Sequence, residues 1–151
     1  MTHYQPYLTC IALVAISVSY LLGFTPAVVG VVFVGMSLVA YYHYRRDKAA
    51  AVRGEWRVPE SRLHFVSLCC GWPGALIAQY RFRHKTKKVS FRVLFWMTVV
   101  ANVIGFSWLH LPKGNLMLKN GAFEIENFTL SHSKSEALTS TVFFLTNFRE
   151  R

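Results

Sequence analysis

The sequence predicts an all-α integral membrane protein with four apolar helical segments, the third of them broken or re-entrant. Three observations carry this. Hydrophobic residues make up 53% of the 151-residue chain and charged residues only 16%, too apolar for a water-soluble domain of this size. No Lys, Arg, Asp or Glu occurs before position 45. The cations then arrive in two blocks against apolar segments: six basic and three acidic residues over 45–62, and six basic with no acidic over 81–92.

That distribution decides what the formal net charge of +10 means. In a soluble chain it would point to the phosphates of nucleic acid, whose counterions Lys and Arg release. Packed against the ends of apolar segments, the same charge orients helices by the positive-inside rule and binds anionic lipid headgroups, at about 1 kcal/mol per cation near the surface.

The first segment covers 7–24, an uncharged run of 18 residues. As a helix it is roughly 27 Å long, just enough to span a hydrocarbon core of about 30 Å. No Lys or Arg precedes it, so it lacks the start of a secretory signal and is expected to stay in the mature chain. Gly23, Thr25 and Pro26 punctuate it, and a second uncharged run follows over 27–44. Tyr41, Tyr42 and Tyr44 suit headgroup depth, and Arg45 and Arg46 follow at once. The second helix is therefore expected to emerge in the cytoplasm, which puts the N-terminus there too.

The third segment, 63–80, contains a break made of Gly71, Trp72, Pro73 and Gly74. Proline inside a helix removes a hydrogen bond and clashes one turn back. Either the segment crosses as one kinked helix, or it enters, turns at the break and returns. A crossing would leave the second basic block outside; a return keeps both blocks in the cytoplasm, and the charge bias favours it. The fourth segment, 91–111, carries Trp96 and Trp108 near its two ends, as interfacial belts do. Asn102 falls in its middle and is expected to hydrogen-bond to a neighbouring helix.

Pro112, Lys113 and Gly114 are expected to end that helix. The membrane domain is thus 1–112, and 113–151 is a short, weakly ordered tail. Within the tail, Asn120-Gly121 between short alternating runs is a local hairpin cue. The three cysteines, Cys10, Cys69 and Cys70, all lie in apolar stretches, and an odd number with an adjacent pair suits neither a disulfide framework nor a metal.

Chemistry, if any, centres on the middle third. Arg57 and Glu60 flank Pro59 and can pair where the third segment begins, with Pro59 suited to a first helical position and Glu60 to the positive end of the dipole. His64 lies one turn beyond Glu60, so the two share a helix face and form the candidate acid–base pair. No catalytic set is assigned. "RFRHKTKK" at 81–88 is the densest basic run. Arg83, His84, Lys85 and Lys88, with Arg57, are the expected headgroup-binding residues, Arg83 as a bidentate fork for phosphate. No Gly-rich phosphate loop precedes the lysines, and no His/Cys/carboxylate spacing suits a metal, so no cofactor or metal is expected.

These residues carry a resemblance. Arg57-Val58-Pro59-Glu60, Leu63-His64, Gly71-Trp72-Pro73-Gly74-Ala75, Arg83-His84-Lys85-Thr86, Lys88 and Phe91 together resemble the small bacterial integral membrane proteins catalogued as domain of unknown function 1294. The resemblance covers roughly 57–105 and implies a multi-pass inner-membrane protein. Members of that family are often fused behind an N-terminal cold-shock domain, a nucleic-acid-binding barrel that would sit in the cytoplasm. This chain starts directly at its first apolar helix, so nucleic acid is not the expected partner. Where the family tends to carry a Gly pair at the break, this chain has Cys70-Gly71. The family has no established activity, so the resemblance implies a class and no mechanism.

The expected function is a non-enzymatic scaffold or accessory protein of the bacterial inner membrane, with a basic cytoplasmic face that engages anionic lipid or an acidic protein partner. The alternatives are an enzyme acting on a lipid or isoprenoid headgroup through Glu60, His64 and the cluster at 83–88, and a membrane tether for nucleic acid.

Overall fold

A computed structural model describes residues 4–83, 88–133 and 135–148, and every regular element in them is helical. The helices are α1 (Tyr4–Leu21), α2 (Ala27–Arg53), α3 (Glu60–Val66), α4 (Trp72–Phe82), α5 (Val89–Trp108), α6 (Pro112–His132) and α7 (Glu136–Thr146), with a widened π turn, Ser67–Gly71, joining α3 to α4. Two of them, α2 and α5, are long and apolar enough to cross a membrane, and α1 is a shorter apolar helix. Only 17% and 22% of the apolar windows of α2 and α5 are buried inside the protein. A core helix of a soluble domain would be mostly enclosed, so these apolar surfaces need lipid rather than water.

By contacts the chain divides into two compact units, 1–14 with 32–104, and 15–31 with 105–151. In the first, α2 runs nine residues past Tyr44, because the Arg, Lys and Ala residues that follow are good helix formers. Gly54, at φ 70°, ends it in the left-handed conformation usual just beyond a helix. Residues 55–59 are irregular, and Pro59 (φ −56°, ψ 139°) caps α3 from outside its first turn.

Between α3 and α4 the backbone leaves helical geometry at Cys69 (φ −78°, ψ 46°) and Cys70 (φ 68°, ψ 4°). The departure lies just before the Gly71–Gly74 stretch. Trp72, Pro73 and Gly74 form the first turn of α4, where a proline's missing N–H costs nothing. Both glycines are there for close approach. A β-carbon on Gly71 would stand 2.7 Å from the Met36 carbonyl oxygen and 2.5 Å from that of Val66, and one on Gly74 would overlap the Ser37 backbone. The start of α4 is therefore seated on α2 around Met36–Ala40.

Both α3 and α4 reach the Tyr41–Tyr44 stretch of α2, α3 by way of Phe91. At the end of α4, Gln79 Nε2 donates to the Tyr44 hydroxyl at 3.3 Å, and the Phe82 ring lies 5.3 Å from Tyr41. In the last turn of α3, the His64 ring lies 4.3 Å from Phe91, which in turn meets Tyr44 edge-on at 6.2 Å. Buried Tyr44, Leu63, Ala75, Leu76, Phe91 and Phe95 form the core of this unit. Two side chains tie the break in place. Asn102 Nδ2 on α5 donates to the Leu68 carbonyl at 2.9 Å and to Thr98 of its own helix at 2.8 Å, and Thr9 Oγ1 on α1 donates to the Pro73 carbonyl at 3.2 Å.

In the second unit a polar staple joins the turn after α1 to the end of α5. His110 Nδ1 donates to the Phe106 carbonyl at 2.9 Å, since a carbonyl can only accept, and Nε2 is hydrogen-bonded with the Ser19 hydroxyl at 2.9 Å. Ser19 also meets Thr25 Oγ1 at 2.9 Å, and Asn115 Nδ2 donates to the Phe24 carbonyl at 2.7 Å. One expectation about 112–151 is overturned here. α5 ends at Trp108, ahead of Pro112, and Pro112 opens α6, as its fixed φ allows at a first turn. Asn120-Gly121 makes no hairpin and lies inside α6, and there is no strand among the described residues. One interior glycine costs about 1 kcal/mol, which a 21-residue helix packed against α7, where Thr146 Oγ1 donates to Glu126, absorbs.

Candidate functional site

The residues singled out in the middle third converge at the end of α2. Asp47, one turn past Tyr44, is fully buried, although it stands in the sequence between Arg46 and Lys48. Its carboxylate is gripped by Arg57, whose Nε and Nη2 each lie 3.3 Å from one oxygen. Arg57 can do this because it lies in the irregular stretch before α3 and crosses to α2. The expected Arg57–Glu60 pair does not form for the same reason: with Pro59 extended, Arg57 is not on the helix that Glu60 begins. Glu60 instead bridges to Lys88 at 2.8 Å, joining the start of α3 to the residue before α5.

His64 shares the α3 face with Glu60, as its spacing predicts, but it is buried against Phe91. Glu60 is thus ion-paired with Lys88, and the His64 imidazole lies 4.3 Å from the Phe91 ring. Arg83 ends α4 in the left-handed conformation (φ 48°, ψ 40°) and is exposed. His84 and Lys85 lie outside the described residues. Among the described residues, no three His, Cys, Asp or Glu side chains gather as a metal would need.

The third carboxylate of this unit, Glu55, is held by Arg53 through a fork at 2.7 and 2.9 Å, and that pairing keeps it below the usual carboxylate range. All three acidic side chains of residues 1–104 are therefore engaged by cations. Arg45, Arg46, Arg62, Arg81, Arg83 and Arg92 remain exposed, with no carboxylate beside them among the described residues. Sequence reasoning missed the buried Asp47 and the Tyr44–Gln79 contact. An acidic residue inside a basic run gives no sign of burial, and its only cue is its place one turn beyond a helix's last tyrosine.

The part of the chain that builds this site is the part with relatives. Residues 37–91 match a family described as protein of unknown function DUF1294. The chain is similar to that family over this stretch. It is also 33% identical over 57 residues to the uncharacterized protein YsdA of Bacillus subtilis (strain 168), an alignment covering 38% of this chain and 64% of that protein. The chain thus spans somewhat less than two thirds of the length of the curated relative it matches. No solved structure matches it. The family match takes in Ser37, Asp47, Arg57, Glu60, His64, the break and Phe91, and stops short of Asn102, α6 and α7.

Proposed function

We propose that this protein is a non-enzymatic membrane scaffold whose cytoplasmic face is an arginine surface for anionic lipid headgroups. The observation that carries the reading is the engagement of Asp47, Glu55 and Glu60, which leaves the exposed arginines as uncompensated charge. Guanidinium forks match phosphate geometry, and each cation near an anionic surface contributes about 1 kcal/mol. The same surface would hold an acidic protein partner by the same charges. Glu60 and His64, the alternative's acid–base pair, are taken up by Lys88 and Phe91, which favours the scaffold over an enzyme.

The topology that goes with this reading is a re-entrant α3–α4 segment. Both of its helices reach the Tyr41–Tyr44 stretch, α3 by way of Phe91, while its inner turn lies beside Ser37, seven residues or roughly 10 Å further along α2. A segment that enters and returns keeps both basic blocks in the cytoplasm with the N-terminus. It leaves α1, α2 and α5 as the crossings and puts α6 and α7 on the other side. Irregular backbone at depth survives only where protein satisfies it. Asn102 and Thr9 give carbonyls of the break that partner.

The test is lipid retention. Protein reconstituted in a mixture of phosphatidylglycerol and phosphatidylcholine is re-extracted in mild detergent, and the retained lipid is measured by mass spectrometry. Enrichment of phosphatidylglycerol by the wild type, lost on combined Arg45, Arg46, Arg62, Arg81 and Arg83→Gln substitution while the helices still insert, is the expected result. Equal proportions retained by both proteins would refute the headgroup surface.

A further inference from the structure

The outward face of α5 carries an open groove of about 630 Å³ that neither the fold nor the headgroup surface accounts for. The opposite face of this helix is the packed one, with Phe91, Phe95, Thr98 and Val99 buried. Its lining starts at Val89, with Arg92 and Trp96 in the next two turns, and continues along Val93, Met97, Val100 and Ile104. Apart from Arg92 the side chains that line it are apolar or aromatic.

We infer that this groove is a lipid site, in which one anionic phospholipid places its phosphate on Arg92 and lays an acyl chain along α5 toward Ile104. The inference rests on the reading of the arginine face as a headgroup surface and adds a defined place for a single molecule. Three observations select this occupant. First, the groove is polar at one end only. Arg92 is exposed there with no carboxylate beside it among the described residues. A guanidinium at the mouth of an apolar channel complements a phosphodiester on a hydrocarbon chain, and it would complement neither a second apolar helix nor a neutral hydrocarbon.

Length is the second. From Arg92 to Ile104 is 12 residues, roughly 18 Å of helix, close to the depth of one leaflet in a hydrocarbon core of about 30 Å. Third, Trp96 stands one turn from Arg92, where an indole lies at the boundary between headgroups and chains and marks the depth at which a lipid's polar part ends. The two residues together set the register of head and chain.

Trp96 also makes the site measurable. In a Trp56→Phe/Trp108→Phe background, the reporters are Trp96 and the buried Trp72, and a further Trp96→Phe variant supplies the baseline. The protein is reconstituted in phosphatidylcholine containing a minor fraction of phosphatidylglycerol, with bromine on the acyl chains of one lipid or the other, and fluorescence quenching is read. A site led by one arginine predicts, per mole of brominated lipid, a roughly fivefold preference for quenching by phosphatidylglycerol. The preference should disappear in Arg92→Gln. Ala101→Phe, which fills the groove without touching its charge, should reduce quenching by bromine deep in the chain and spare quenching near the headgroup.

Quenching that is equal per mole of brominated lipid in the wild type would overturn the inference. If phosphatidylglycerol were still enriched overall in the retention experiment, the arginine face would stand and the groove alone would fall. Absence of enrichment together with absence of preference would remove both. Cross-linking of Met97→Cys between two copies at a yield that lipid does not reduce would show a second chain in the groove, and would also overturn the proposal.

Discussion

The backbone carbonyl of Ser37 on α2 occupies the space in which a β-carbon of Gly74 would lie. Neither partner can retreat cheaply, since both are backbone within packed helices. Gly74→Val should therefore sharply lower the yield of folded protein in detergent, measured as the monodisperse fraction after extraction. Gly105, which has nothing within 4 Å of its β-carbon position, should accept Ala without such loss. Equal yields for Gly74→Val and Gly105→Ala would mean that α4 is not seated on α2.

Cys70 should respond in the opposite sense. It holds φ 68°, a left-handed conformation that costs an L-residue about 1 kcal/mol and glycine nothing. Cys70→Gly is expected to raise the thermal midpoint of the detergent-solubilised protein by roughly 2–4 °C, and Cys70→Val to lower it. A lower midpoint for the glycine variant would show that the thiol's packing outweighs the backbone.

The Asp47–Arg57 pair is asymmetric, because the carboxylate is fully buried while the Arg57 side chain is 48% exposed. Removing the cation leaves a desolvated charge; removing the carboxylate releases an arginine that water can reach. Arg57→Gln should cost on the order of 2 kcal/mol, and Asp47→Asn distinctly less. Unfolding of both variants in a denaturing detergent titration gives the order, and the reverse order would contradict the burial of Asp47.

Asn102→Leu removes the donor that reaches the Leu68 carbonyl at the break. Hydrogen bonds between membrane helices average about 0.6 kcal/mol and reach nearly 2 kcal/mol at most, and a carbonyl with no helical alternative should fall at the upper end. The same titration measures it. A variant as stable as the wild type would leave the break satisfied by other means.

Topology has a direct readout. With a returning third segment, alkaline phosphatase fused after Arg151 is active and a fluorescent protein at the same place is dark. A bright fluorescent fusion with inactive phosphatase would instead make the third segment a crossing.

The helical class was legible because uncharged runs of about 18 residues and tyrosines beside arginines have few soluble explanations. The extent of α2 was not: the apolar run stops at Tyr44, but helix propensity carries the backbone on to Arg53, where Gly54 ends it. The interruption of the third segment was visible through Gly71, Pro73 and Gly74, yet the dihedrals depart at Cys69 and Cys70. Glycine and proline mark where backbone comes close or a helix begins, and the strained residues lay just ahead of them. The tail misled because Asn-Gly is a turn signal only when its neighbours prefer strands. Within the site, the Glu60–His64 spacing is local and could be read, whereas Asp47 with Arg57 and Glu60 with Lys88 are long-range partnerships that periodicity does not encode.

The contact between Gly74 and Ser37 also carries an order in time. The chain leaves the ribosome N-terminus first, so Ser37 is made 37 residues ahead of Gly74, a lead of roughly 2–7 s at about 5–20 residues per second. The interrupted segment joining α3 to α4 packs on the α2 backbone, and that backbone is already synthesised when the segment emerges. Thr9, which reaches the Pro73 carbonyl, is older still, and only Asn102 comes later. Biogenesis can thus proceed by docking each new piece on an earlier one, with α5 closing the assembly last. A gene rearranged so that 60–82 preceded 27–53 would encode the same contacts and lose that sequence of events.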